Sequence, residues 1–107
     1  YAKICTVLII ITTLHKKAAA IKIGKDLLKE RQIACYNLFP VKSAYWWKGK
    51  ILDMDEVLLI MKTNDNNFKK VEGYIKKHSG YEVPEVIALS PKSVNSSYLK
   101  WINQETK

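Results

Sequence analysis

The chain has 107 residues, of which 48% are hydrophobic and 26% are charged, and its formal net charge is +8. This length accommodates one domain but not two, so we expect a single domain over residues 1–107. The composition is that of a globular protein, and no apolar run approaches the ~20 residues that a membrane helix requires. The two cysteines lack CxxC spacing and predict free thiols in a reducing cytoplasm.

The positive charge raises the question of nucleic-acid binding, but the residue types argue against it. All but one of the 18 basic residues are lysines, and Arg31 is the exception. Lysine acts as a point charge, whereas bidentate recognition of phosphate and guanine favours arginine. The longest basic clusters are pairs that suit solvated helix faces. We therefore expect neither a specific nucleic acid nor a membrane among the partners.

The first half of the chain predicts a strand, a helix and the first arm of a hairpin. Residues 3–13 are rich in β-branched side chains and predict a buried central strand. A helix is predicted over residues 16–32, because apolar residues recur there at helical spacing. Residues 35–47 predict an extended strand, in which Pro40 marks an edge position or a bulge.

The second half completes an α+β pattern. A turn at residues 48–50 leads to a strand over residues 51–63, followed by a helix over residues 68–77 and a short strand over residues 86–89. A terminal helix carries Tyr98, Trp101 and Ile102 on one face. This order predicts a ferredoxin-like βαββαβ fold with a long central hairpin and an extra C-terminal helix.

The hairpin is longer than the helix that should cover it. A strand over residues 35–47 would extend ~40 Å at ~3.3 Å per residue, whereas the first helix would extend ~25 Å at ~1.5 Å per residue. The projecting tip carries Tyr45, Trp46 and Trp47, and strand alternation places Trp46 on the opposite face from the other two. Neither face is polar. We therefore expect the tip to pack against another subunit.

Many functions occur on this fold, so the residues must decide among them. The third strand lacks the stacking aromatics of an RNA-recognition motif. The loop after the first strand has neither the paired cysteines of a metallochaperone nor the arginine of an acylphosphatase. No nucleophile–base pair or adjacent acid pair is evident, and we expect a protein that is not an enzyme.

Six short segments match one known family in order and spacing: LKERQIACYN (28–37), AYWWKGKI (44–51), DEV (55–57), MKT (61–63), YEVPE (81–85) and YLKW (98–101). Together they resemble the CutA family over nearly the whole chain. The resemblance implies a ferredoxin-like fold, a cytoplasmic homotrimer, and tolerance of divalent metals with copper binding. The chain departs from the family pattern in the loop of residues 78–81, which is one residue longer, and in the loop after the first strand.

Four residues are candidate ligands for copper or another divalent metal ion. Cys35 and His78 match the cysteine and histidine of the family, and thiolate and imidazole suit copper or zinc. Glu82 or Glu85 could share the coordination or orient the imidazole ring. The alternatives are a small buried cysteine and a histidine that interacts with a helix dipole. We expect His15 to be a solvated loop residue.

Six residues are assigned to an inter-subunit cleft or interface: Tyr45, Trp46, Trp47, Glu56, Lys62 and Tyr81. Glu56 and Lys62 share one face of the same strand, since they are six positions apart. They could bind a small anion or a metal–ligand complex, but we favour an interface network. Two other functions stay open: a trimeric small-ligand or anion sensor that resembles the PII signalling proteins, and a structural trimer with incidental metal binding.

Overall fold

The computed structural model describes residues 5–107. Residues 3 and 4 of the predicted first strand lie outside this range. The secondary-structure elements are β1 (Val7–Leu14), α1 (Lys17–Lys29), β2 (Cys35–Trp47), β3 (Lys50–Asn64), α2 (Phe68–His78), β4 (Ile87–Leu89) and α3 (Ser96–Glu105). No helix in this described part of the chain has the length and apolar character needed to span a membrane.

The four strands form one antiparallel sheet in the order β2-β3-β1-β4. This order and the two intervening helices confirm the predicted ferredoxin-like fold. β1 lies between β3 and β4, with Val7 opposite Asn64 and Leu14 opposite Val57. The predicted central position of the first strand is therefore correct, and β2 is left at an edge of the sheet.

The core lies between one face of the sheet and the helices α1 and α2. Strand alternation directs Ile10 and Leu14 of β1 and Leu59 and Met61 of β3 to this face, where none of the four has measurable exposure. The helices contribute their predicted apolar stripes to the same cluster: Ala20, Ile23, Leu27, Val71 and Ile75. The burial of this face fixes which strand residues point away from the helices.

The predicted end of the first helix was too late by three residues. The helix stops at Lys29 because Arg31 adopts a left-handed conformation, with φ of 56°. The Arg31 N–H donates to the Leu28 carbonyl at 3.0 Å, and the Gln32 N–H donates to the Leu27 carbonyl at 3.0 Å. These two bonds form a Schellman motif, which usually has glycine at the left-handed position. Because arginine is unusual at this position, the residue type did not indicate that the helix ends here.

The long hairpin pairs without interruption from Cys35 opposite Lys62 to Trp47 opposite Lys50. Pro40 lies within this ladder on the edge strand, so it marks an edge and not a bulge. The turn contains only Lys48 and Gly49, both with positive φ (49° and 80°), as in a type I′ hairpin. Lys50 therefore belongs to the strand and not to the turn.

The second face of the sheet is covered by α3 at one end only. Ile102 of α3 is fully buried, while Trp101 is 39% exposed and its ring centroid lies 5.6 Å from that of Tyr98. The Cys5 N–H donates to the Asn103 side-chain oxygen at 3.0 Å, which ties α3 to the chain before β1. Beyond α3, three large apolar side chains of this face remain exposed: Phe39, Ile87 and Leu89.

Candidate functional site: a cleft beside the hairpin tip

A cleft of about 840 Å³ lies between the distal half of the hairpin and the segment that joins α2 to β4. Its floor and walls come from β2 and β3, the end of β1 and residues 80–85. The side chains on which the chemistry depends are His15, Tyr45, Trp47, Glu56, Tyr81 and Glu85. Leu52 and Met54 supply apolar surface between them. The cleft therefore combines aromatic walls with carboxylates.

Strand alternation brings the hairpin residues to the cleft. Glu56 is an even-numbered residue of β3, as are Leu52 and Met54, whereas Leu59 and Met61 point into the core. Tyr45 and Trp47 of β2 share this second face. The hairpin alone would leave Glu56 in solvent, but Glu56 is only 6% exposed because the segment before β4 passes over it.

Tyr81 is the central residue of the site. Its hydroxyl donates a hydrogen bond to Oε2 of Glu56, and it lies 3.2 Å from Nδ1 of His15. The Tyr81 and His15 rings stack with their centroids 4.0 Å apart. The Tyr81 side chain thus links the segment before β4 both to β3 and to the loop after β1.

Two ionisable groups in the cleft have shifted pKa values. Burial, followed by the hydrogen bond to Glu56, raises the pKa of Tyr81 well above its usual range. Burial and the nearby charge of Glu56 raise the pKa of Glu85. Both pKa values rise for the same reason. The space is partly shielded from water, and ionisation of either group would add a negative charge near Glu56. At neutral pH, Tyr81 is therefore a hydrogen-bond donor.

The mouth of the cleft contains a lysine that bridges its two sides. Nζ of Lys48 lies 3.8 Å from Oε2 of Glu82 and 5.5 Å from the centroid of the Trp47 ring. The side chains of Lys48 and Glu82 are 71% and 68% exposed, so the pair is screened by solvent and contributes little to stability. It does show that the Trp47 ring is placed to face a cation.

Most of the residues predicted for an inter-subunit cleft do come together here. Five of the six border it: Tyr45, Trp46, Trp47, Glu56 and Tyr81. Trp46 nevertheless points largely into solvent, with 72% of its surface exposed. Lys62 shares the face of Glu56 but lies six residues away, ~20 Å along the strand. There it donates a hydrogen bond to Asn37 at 2.8 Å.

The four predicted metal ligands do not meet within one chain. Glu82 and Glu85 border the cleft, but Cys35 lies at the far end of the hairpin, opposite Lys62. Its Sγ atom is 3.4 Å from the Tyr98 hydroxyl. The exposed ring of His78 stacks on Tyr74 of the same helix at 4.1 Å between centroids. Within residues 5–107, no three His, Cys, Asp or Glu side chains are grouped to hold a metal ion.

His15 is the site residue that sequence reasoning missed. It is exposed, as expected for a loop residue, but it stacks on Tyr81 at the edge of the cleft. The pairing of Leu14 with Val57 places His15 next to Glu56. This position could have been predicted from the sequence. If β1 and β3 are aligned antiparallel so that their buried residues face the same side, Leu14 falls opposite Val57. Thr13, Leu52 and Met54 would follow from the same alignment.

Comparison with known proteins assigns the chain to a family. Residues 8–105 match the family of the CutA1 divalent ion tolerance protein. The divalent-cation tolerance protein CutA of Pyrococcus horikoshii is 42% identical over 100 residues, which cover 94% of this chain and 98% of the relative. The corresponding protein of Thermus thermophilus is 34% identical over 99 residues, which cover 92% and 96% of the two chains.

Solved structures agree with this assignment. The crystal structure of CutA1 from Pyrococcus horikoshii superposes with a TM-score of 0.89 at 42% identity and covers 94% of this chain and 98% of that one. The CutA structure from Archaeoglobus fulgidus, described as a periplasmic divalent cation tolerance protein, gives a TM-score of 0.93 at 31% identity and covers 95% and 100%. Sequence and fold thus agree over nearly the whole length, and the chain belongs to the CutA1 divalent ion tolerance protein family.

Proposed function

We propose that this protein contributes to the tolerance of divalent metal cations, with copper as the first metal to test, and that it acts as a homotrimer without enzymatic activity. The observation that carries the proposal is the family match over residues 8–105. The relatives from Pyrococcus horikoshii and Thermus thermophilus are named for divalent-cation tolerance. In the cleft, the hydrogen bonds of Glu56 and His15 go to Tyr81, which supports a binding role over nucleophilic catalysis.

Three features of the single chain support the trimer. The chain is elongated, with extents of 53 × 27 × 21 Å, because the hairpin projects beyond α1. On the tip, Trp46 and Ile51 pair across the strands while 72% and 58% exposed. On the second face, Phe39, Ile87 and Leu89 are each more than two-fifths exposed. Apolar surface of this extent on a sheet favours burial against further copies of the chain.

Copper binding would require a particular arrangement of subunits if its ligands are the four predicted residues: Cys35, His78, Glu82 and Glu85. Copper sites in proteins use several convergent ligands, and one chain does not bring these four side chains together. A copper site built from them therefore requires ligands from more than one copy. The trimer and the metal site are consequently linked parts of the proposal, and loss of the assembly should abolish the site.

We also propose a cytoplasmic location, although the Archaeoglobus fulgidus relative is described as periplasmic. The free thiols of Cys5 and Cys35 support a reducing compartment. Cell fractionation of a strain that expresses the full-length protein tests this point. Recovery in the periplasmic or membrane fraction would contradict it.

A small-ligand sensor is a second candidate, and the cleft favours it. A volume of about 840 Å³ lies within the ~300–1,000 Å³ typical of small-molecule sites. Three carboxylates border this space: Glu56, Glu82 and Glu85. Among the described residues that line it, the one lysine is Lys42, which is paired with Asp55, so an anion is a poor occupant. A ligand of the opposite charge suits the cleft better.

The tolerance role is tested in a bacterial host whose own gene of this family has been deleted. Expression of the chain should restore growth in excess copper, zinc or cadmium chloride but leave growth in magnesium chloride unchanged. A Trp46→Glu variant expressed at the same level should restore less growth, since it places a charge in the proposed interface. Equal growth with and without the protein in every metal would refute the role.

A further inference from the structure

The cleft contains a buried carboxylate that has no cationic partner within the part of its own chain that the structure describes. Glu56 is 94% buried, and its carboxylate accepts a hydrogen bond from the Tyr81 hydroxyl. Among residues 5–107, no lysine, arginine or histidine forms an ion pair with Glu56 or Glu85. Burial of an unpaired carboxylate is costly. In the described range, neither carboxylate is therefore neutralised by a basic side chain.

The walls of the cleft suit a cation as well. Tyr45, Trp47 and Tyr81 present aromatic rings to the same space as the carboxylates. The Lys48 ammonium already lies 5.5 Å from the Trp47 ring centroid at the mouth. Aromatic faces attract cations within ~6 Å, most strongly where water is excluded. Carboxylates beside aromatic rings are the usual combination for binding ammonium groups.

Size and ligand count distinguish an organic cation from a bare metal ion. The cleft has room for a small molecule of several heavy atoms, and its apolar surface from Leu52 and Met54 would contact carbon and not a hydrated ion. A metal ion would need convergent donor atoms, and within residues 5–107 the cleft does not supply three. An ammonium group needs only charge, aromatic contact and one or two acceptors.

We propose that the cleft binds a small organic cation, whose ammonium group pairs with Glu56 and Glu85 while its carbon atoms pack against Tyr45, Trp47 and Tyr81. This activity is separate from metal tolerance and does not depend on it. Tyr81 acts as a positioning residue, because its hydroxyl holds Oε2 of Glu56 and leaves Oε1 for the ligand.

The test is isothermal titration of the assembled protein with choline chloride, at constant ionic strength maintained with sodium chloride. The comparison ligand is 3,3-dimethyl-1-butanol, which has the shape of choline without the charge. Choline should bind with a Kd in the millimolar range or below, and at least about tenfold more tightly than the alcohol, a difference of ~1.4 kcal/mol. Equal affinity for the two, or no choline binding in that range, would overturn the proposal.

Glu56→Gln identifies the carboxylate, since it removes the charge but leaves an acceptor for Tyr81. Choline affinity should fall at least about tenfold. The control is Asp53→Asn, which removes an exposed charge from the opposite face of β3, outside the cleft; it should leave the affinity unchanged. Equal losses in both variants would show a general charge effect and overturn the site.

Two further outcomes are decisive. If Glu56→Gln does not fold, Glu85→Gln replaces it, and an unchanged choline affinity in that variant overturns the proposal. If choline does not bind and Glu56→Gln dissociates the assembly, the carboxylate pairs with a cation of a neighbouring copy and the ligand site is refuted. Neither outcome bears on growth in excess metal, so the tolerance role is judged separately.

Discussion

The Tyr81 hydroxyl donates a hydrogen bond to the Glu56 carboxylate, and this contact holds the segment before β4 against the long hairpin. Tyr81→Phe removes the donor and leaves a buried carboxylate unsatisfied. The free energy of unfolding should fall by ~1–3 kcal/mol, as expected for a buried acceptor that loses its partner. Urea unfolding followed by circular dichroism measures the change.

The matched control for Tyr81→Phe is Tyr98→Phe. The Tyr98 hydroxyl contacts the Cys35 sulfur at 3.4 Å, and a cysteine sulfur is a weak hydrogen-bonding group. This variant should therefore lose less stability than Tyr81→Phe. An equal or larger loss at Tyr98 would show that the Glu56 contact has no special contribution.

Glu85 should make stability depend on pH in a defined direction. Burial and then the Glu56 charge raise its pKa above the ordinary value of 4.5, so ionisation costs the folded protein more than the unfolded chain. The unfolded chain binds fewer protons between the two pKa values, and the free energy of unfolding should therefore fall as pH rises through this interval. Glu85→Gln removes that loss.

Unfolding of Glu85→Gln and of the parent protein at about pH 4 and pH 7 tests the direction. The variant should gain stability relative to the parent as pH rises. Glu82→Gln is the control, since this residue is 68% exposed and pairs with Lys48. A constant difference between Glu85→Gln and the parent at both pH values would contradict the raised pKa.

Two glycines in helices should respond oppositely to alanine. A Cβ atom on Gly24 would lie 2.7–3.0 Å from ring atoms of Tyr36, whereas one on Gly73 would meet nothing within 4 Å. Gly24→Ala should destabilise the fold by ~1–3 kcal/mol through overpacking. Gly73→Ala should stabilise it by up to ~1 kcal/mol through helix propensity. Thermal unfolding of both variants decides the matter, and stabilisation by Gly24→Ala would show that Tyr36 moves aside freely.

The trimer is tested by sedimentation equilibrium at micromolar concentration. We expect a mass of about three times the 12.3 kDa of one chain. Trp46→Glu places a charge among the exposed apolar side chains of the tip and should reduce the mass. Ala18→Glu changes the charge equally on the exposed side of α1 and should leave the trimer intact. A stable monomer for the parent protein would refute the assembly.

Copper binding is tested by equilibrium dialysis with single-residue variants. Cys35→Ser and His78→Ala should weaken binding, and affinity should fall at lower pH because thiolate and imidazole must lose protons to bind metal. Cys5→Ser is the control, since Cys5 is buried and accepts a hydrogen bond from Asn66 at 2.8 Å. Equal affinity in all the variants, once circular dichroism has shown that they fold, would exclude Cys35 and His78 as ligands.

The fold was predictable because its signals are local. Residues 35–47 were predicted to form an extended strand, and β2 has these bounds. The end of α1 was missed because the left-handed position holds Arg31 where glycine is usual. The left-handed conformation of Arg31 is set by the surrounding structure, and the residue type does not indicate it.

The site was only partly predictable because its remaining features are long-range. Glu56 and Lys62 do share a face, as their spacing predicts, but a shared face is not a shared site when ~20 Å separates the residues. His15 reaches Tyr81 through the pairing of β1 with β3 and the path of residues 79–86. The pairing can be obtained only by aligning two strands that are distant in sequence, and the path of residues 79–86 is not indicated by any local pattern.

The uninterrupted ladder of the hairpin also constrains which insertions and deletions this gene can tolerate. Because successive residues of β3 alternate between core and cleft, one codon added between Glu56 and Leu59 would turn either the carboxylate or the core residues to the wrong face. The same codon added at Lys48-Gly49 would lengthen a solvent-exposed turn and leave both faces in register. Natural length variation among relatives should therefore concentrate at the turn and in the segment before Tyr81, while β3 itself keeps a fixed length.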